Sequence, residues 1–196
     1  GEVRPHSHDF YAILYIEDGA GEHCIDFDRY EIRPGRFHFF APGKVHSLRA
    51  PDPVQGRVLL FQENFLTGAR HKDPLWYRYP FFSFYNRAEY IPDQIALERC
   101  QSLIESIVHE AASEAVDRFE AIQHLLNLLL LQINRGYTRE QSGVVDRKVN
   151  LYFRDFLILL NESFKKERQV AYYARQLGIS AAHLTSCTRA VSWLSA

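Results

Sequence analysis

The sequence predicts an α+β protein, with an N-terminal barrel or sandwich of short strands followed by helices. Two observations predict it. Up to Gln62, apolar runs of five to eight residues are punctuated by Gly and Pro, which is the pattern of a small all-β unit. From about Pro92 the apolar residues recur every three or four positions, which is the helical period. At 196 residues, with 46% hydrophobic and 24% charged side chains, the chain is globular rather than disordered and long enough to bury a core.

In chain order, "FYAILYI", "HCIDFDRYEI", "RPGRFHFFAPGKVHSL" and "GRVLLFQ" read as β-structure, with "EDGAGE" as a glycine turn. "DQIALERCQSLIESIVHEA" reads as a helix with Ile95, Leu103, Ile107 and Ala111 along one side. In "DRFEAIQHLLNLLLLQIN", Phe119, Ile122, Leu126, Leu129 and Ile133 step 3, 4, 3, 4. Such a heptad seam suits a homodimer, and a helix buried within one chain would show the same pattern. The domain expectation is therefore residues 1–90 as the barrel, 91–140 as a helical dimerisation segment and 141–196 as a third part.

Charge supports a division near Gly143. Residues 1–143 carry 15 Lys and Arg against 20 Asp and Glu, a balance of −5, whereas residues 144–196 carry 8 against 4, a balance of +4. The C-terminal part is the one suited to phosphates. There, "VNLYFRDFLILLNESFKKE" reads as a helix, and Val170 to Leu177 as another with Ala174 facing inward. Gly178 then permits a tight turn, Ile179 plugs the core, and Ser180 caps a helix carrying Leu184. This is a helix-turn-helix pattern. Its DNA-facing candidates are Ser180, Ala182, His183, Ser186 and Arg189.

Other classes find little support. The longest apolar block, "LLNLLLLQI", is far too short to span a membrane, so no membrane partner is expected. Cys24, Cys100 and Cys187 are widely spaced, which suggests neither a disulfide framework nor a thiolate cluster and fits a reducing cytoplasm. No G-x-S-x-G, Walker loop, H-E-x-x-H or G-x-G-x-x-G occurs, no cofactor is implied, and the chain does not read as an enzyme.

The order of parts resembles AraC-type transcription regulators. "RPHSHDFYAILYIEDGAGEHCIDFDRYEIRPGRFHFFAPGKVHSL" is similar to their cupin-like sensor barrel, and "VAYYARQLGISAAHLT" to the first of their two helix-turn-helix units. The resemblance implies a barrel that binds a small-molecule effector, a helical dimerisation segment, and binding to operator DNA. The sequence starts at Gly1, has no Met and stops at "SWLSA", where the family's linker to a second helix-turn-helix begins. The expectation is a partial chain with a weakened grip on DNA.

For the effector, His8, Phe10, Ala12 and Leu14 are expected to share one strand face, with His46 returning to the barrel mouth; the ligand candidates are His8, Phe10, Leu14 and His46. Aromatic filling of a small barrel is the alternative. Resemblance to catalytic cupins gives a second possibility, because His6, His8 and His46 match three places of their metal site. The matching carboxylate is absent: Ala12 or Ile13 stands there. A metal-dependent cupin enzyme is thus the alternative to an effector-responsive regulator. These imidazoles also titrate near neutrality, which leaves a pH response open.

Overall fold

The computed structural model describes residues 2–67, 74–141 and 147–192. Among these, eight strands form two antiparallel four-stranded sheets. The first runs β1 (Glu2–Ser7), β6 (Val45–Arg49), β3 (Gly21–Ile25), β4 (Asp28–Ile32). The second runs β7 (Gln55–Phe61), β2 (Tyr11–Asp18), β5 (Phe37–Phe40), β8 (Glu89–Tyr90). Seven helices follow β7 or lie beyond β8: α1 (Glu63–Thr67), α2 (Leu75–Arg78), α3 (Gln94–Ala112), α4 (Arg118–Gln141), α5 (Arg147–Ser163), α6 (Val170–Gln176) and α7 (Ala181–Ser192).

Two of the segments that read as β-structure are hairpins. "HCIDFDRYEI" folds back at Asp26, whose φ of 55° lies in the left-handed region that Asp tolerates. The Pro42–Gly43 turn likewise divides β5 from β6, and Gly43 N–H donates to the His8 carbonyl at 2.9 Å. The two-residue β8 was not visible as a strand, since nothing so short has a period of its own.

The period of two in β2 assigns its residues to two environments. Ala12 faces the barrel interior and joins Ile25, Tyr30, Phe40 and Ala88. Tyr11, Ile13 and Tyr15 face the other way, into a larger core shared with Phe37, Phe39, Phe81 and Phe82. That second core is closed by helices. From α3 it receives Cys100, Ile104 and Ile107, so the buried side of α3 is rotated from the expected one: Ile95 is 65% exposed and Ala111 is exposed.

From α4 the same core receives Leu126, Leu129, Leu130, Ile133 and Tyr137. This corrects the seam reading. Leu126, Leu129 and Ile133 pack on the barrel of their own chain, each burial worth about 1.5–3 kcal/mol, and are not free to meet a second copy. Ile122 is half-buried and Phe119 is 62% exposed. The outward apolar residues of α4 are instead Phe119, Leu128 and Leu131.

The helix also lies unusually close to β8. A side chain at Gly136 would overlap the Tyr90 hydroxyl and ring, and the neighbouring Tyr137 hydroxyl donates to the Arg87 carbonyl at 2.8 Å. Contacts divide the chain into Gly1–Thr138 and Arg139–Ala196. Residues 91–138, read from sequence as part of a separate segment, therefore belong to the barrel's unit. Residues 142–146, where the sequence places the division near Gly143, lie outside the described residues, as do Trp193 and the rest of "WLSA".

The second unit has its own core of Phe153, Phe156, Tyr173, Ala174 and Leu184, with Ile179 packed half-buried against it. Gly178, at φ +67°, makes the turn between α6 and α7, a conformation that disfavours other residues.

Candidate functional site: a histidine chain in the barrel

Pairing of β1 with β6 sets His6 directly opposite His46, and their rings stand 4.4 Å apart. His8 lies just past the end of β1 rather than on a common strand with β2, yet its ring packs edge-on against His6 at 4.6 Å and stacks on Phe10 at 4.4 Å. The candidate ligand atoms of His6, His8 and His46 all lie within 4.8 Å of one another. The sequence reading of one shared strand face was wrong in its strand assignment, but the three imidazoles do converge.

Behind this group runs a chain that the sequence reading missed. His46 Nδ1 is 3.1 Å from His23 Nε2, and His23 Nδ1 is 3.0 Å from His38 Nδ1. His38 Nε2 faces Glu89 Oε1 at 3.7 Å. His23, His38 and Glu89 are almost wholly buried. Register explains the assembly: Ile25 lies opposite His46 on β3–β6, and His38 opposite Glu89 on β5–β8, so alternation sends these side chains inward together. Isolated histidines at 23 and 38 carry no spacing signal; only the pairing of the sheets joins them.

Charge is distributed unevenly along the chain. Burial alone would raise the Glu89 carboxyl, but His38, Arg87 and Arg36 hold it down to about 2, so Glu89 is an anion that only accepts. Arg36 Nη1 donates to it at 2.8 Å, and Arg87 donates to its other oxygen. Burial, then His38 and His46, lower His23 to about 3; burial, then His6 and His8, lower His46 to about 4. Both rings are therefore neutral near pH 7.

Glu89 is an acceptor-only carboxylate, so a His38 Nε2 turned toward it as N–H fixes the order of donors and lone pairs along the chain. His38 presents Nε2–H to Glu89 and its Nδ1 lone pair to His23. His23 donates from Nδ1 and accepts at Nε2 from His46 Nδ1–H. The remaining nitrogen, His46 Nε2, is then a lone pair; it is buried and has no hydrogen-bond partner.

Of the four effector candidates, His8, Phe10 and His46 form one stacked group: Phe10 on His8, and Phe40 on His46 at 4.2 Å. Leu14 is half-buried on β2, opposite His38 in register. A larger space was not foreseen. A groove of about 840 Å³ lies between β7 and the helices, lined by Val58, Leu60, Phe65, Ile104, Ile107 and Phe119 among others, and Phe10 borders it too. Its volume falls in the range of small-molecule sites.

In the second unit, the Ser180 hydroxyl accepts from His183 N–H at 3.1 Å, the expected cap. Ala182, His183, Ser186 and Arg189 are exposed on α7, as the pattern predicts. The His183 ring also leans on Tyr152 at 5.6 Å.

Comparison with protein families gives a match to the AraC-like ligand binding domain over residues 2–129. Comparison with curated proteins gives no match. Among solved structures, the AraC-like transcriptional activator CuxR aligns at 16% identity and a TM-score of 0.44, over 92% of this chain and 61% of that one. ToxT from Vibrio cholerae, in an unsaturated fatty acid-bound form, aligns at 13% identity and a TM-score of 0.29, over 99% of this chain and 87% of that one. The chain thus spans about 61% of the length of CuxR.

Proposed function

The chain belongs to the AraC-like ligand-binding domain family, and from that premise we propose that it is an effector-responsive, DNA-binding transcription regulator. One observation carries the reading: a ligand-binding domain of this family is followed, in the same chain, by a separate compact unit with a capped helix-turn-helix geometry. In that unit α7 presents Ala182, His183, Ser186 and Arg189 outward, at the spacing of a helix that reads a major groove. The balance of +4 over residues 144–196 favours phosphate contact.

In this reading the effector binds within the first unit and touches Phe10, which borders both the histidine group and the β7 groove. It acts by favouring one arrangement of a homodimer over another, because a ligand shifts an equilibrium only through differential affinity. Phe119, Leu128 and Leu131, outward on α4, are an apolar surface for that dimer. Operator DNA, a small-molecule effector and a second copy are its partners, in the cytoplasm.

The experiment is selection of duplexes from a randomised library on the purified chain, repeated with Arg189→Ala and His183→Ala. Enrichment of a common sequence that both substitutions weaken supports the reading. Failure to enrich any sequence, at low salt as well as high, overturns it. The convergence of His6, His8 and His46 favours a second reading, a metal-dependent barrel enzyme, for which no carboxylate joins the group among the described residues.

A further inference from the structure

We propose that His6, His8 and His46 bind one late first-row divalent metal ion, of the zinc, nickel or copper type, and that His23, His38 and Glu89 are its outer shell. The proposal rests on the histidine geometry and not on the DNA-binding reading.

The donor set comes first. Imidazole nitrogen suits these ions, and three such ligands leave at least one coordination position for water or an anionic ligand. Two of the three ligand nitrogens have a reason to be a lone pair. His6 Nδ1 lies 2.8 Å from the Arg4 carbonyl, which only accepts, so this nitrogen carries the proton and Nε2 is free. His46 Nε2 is buried and without a hydrogen-bond partner, an arrangement that is costly unless something other than a protein group fills it. His8 has its ring face fixed by Phe10 and its edge toward His6.

Geometry comes next. Three nitrogens around a tetrahedral ion at about 2.0–2.1 Å stand about 3.3 Å apart. The present separations reach no more than 4.8 Å, so closure needs only about 1.5 Å of ring movement. The half-buried His6 and His8, at the end of β1, supply that movement, while His46 is the fixed anchor.

The outer shell distinguishes this site from a chance cluster. A ligating histidine usually donates its second N–H to a carboxylate or carbonyl, which fixes the tautomer and raises basicity. Here the carboxylate stands further back: Glu89, paired with Arg36 and Arg87, faces His38 Nε2 at 3.7 Å without a direct hydrogen bond, and His38, His23 and His46 follow in hydrogen-bonded sequence. Metal at His46 Nε2 is compatible with that ordering and incompatible with its reverse. His23, His38 and Glu89 are therefore positioning residues.

The test uses the tag-free full chain, stripped with chelator and dialysed. Zn²⁺ is titrated against a chromophoric competitor, and Co²⁺ is followed by its visible absorption. The expected result is one Zn²⁺ per chain and a Co²⁺ spectrum that Zn²⁺ displaces. His46→Ala and the surface variant His6→Ala should abolish both, whereas His183→Ala in the other unit should leave both intact. Glu89→Gln should keep one equivalent but weaken it by about 10- to 100-fold and alter the Co²⁺ bands. Absence of stoichiometric metal, or binding indifferent to His6→Ala and His46→Ala, overturns the site. Binding indifferent to Glu89→Gln overturns the outer shell. Failure of the duplex selection leaves these readouts untouched, so the two readings fail separately.

Discussion

His6 faces His46 across the β1–β6 ladder with the rings 4.4 Å apart, and this one register pairing joins the chain's first strand to the barrel interior. A ligand that bridges the two rings ties β1 to β6 and stabilises the unit by mass action. Zn²⁺ at 100 times its dissociation constant should raise stability by about 2.7 kcal/mol. Thermal unfolding should show the rise in the natural chain and none in His46→Ala.

Leu126→Asp should unfold the first unit rather than release a folded monomer, because Leu126 is 3% exposed within the core. Burying an unpaired carboxylate there costs several kcal/mol. Leu131→Asp, on the exposed side of α4, should keep the circular dichroism spectrum and shift sedimentation toward monomer. A folded Leu126→Asp monomer would restore the heptad seam as the dimer contact.

How much was legible divides along that helix. The spacing of Leu126, Leu129 and Ile133 announced a helix with an apolar stripe, and the stripe is real. What covers a stripe is a tertiary fact: the outward side chains of β2 and β5, Ile13, Tyr15, Phe37 and Phe39, cover it here, and no local period reports them. His6, His8 and His46 were visible because two are separated by a single residue and the third follows a Pro-Gly turn. His23, His38 and Glu89 were invisible because three different strands bring them together. The turn glycine, the cap and the core residues of α6 and α7 were legible because all of them are local.

Acid should destabilise the metal-free protein through Glu89. Its folded value of about 2 lies below the ordinary carboxylate value, so its contribution is fully present above about pH 4.5 and is lost as pH falls through the folded value. The loss is about 3 kcal/mol at most. Glu89→Gln should remove this part of the pH dependence between about pH 4.5 and 2, read from urea midpoints across that range. An unchanged profile would place the acid-labile group elsewhere.

Gly136→Ala should destabilise by about 1–3 kcal/mol, since the added methyl meets the Tyr90 ring and hydroxyl. Tyr90→Phe removes the hydroxyl and should recover part of the loss. Chemical denaturation of the two single variants and the double variant would expose the coupling as non-additivity.

Arg189→Ala should lower duplex affinity and reduce the salt slope by about one if the guanidinium meets a phosphate. Binding isotherms at three salt concentrations decide it. An unchanged slope with reduced affinity would assign Arg189 to base contact instead.

The strand β8 is only Glu89 and Tyr90, yet it is the pivot of the first unit. Successive residues of a strand point to opposite sides, so Glu89 reaches into the barrel while Tyr90 presses on the bare backbone of Gly136. Replacing either residue therefore disturbs a different layer: Glu89 the buried imidazoles of the barrel, Tyr90 the close packing of α4.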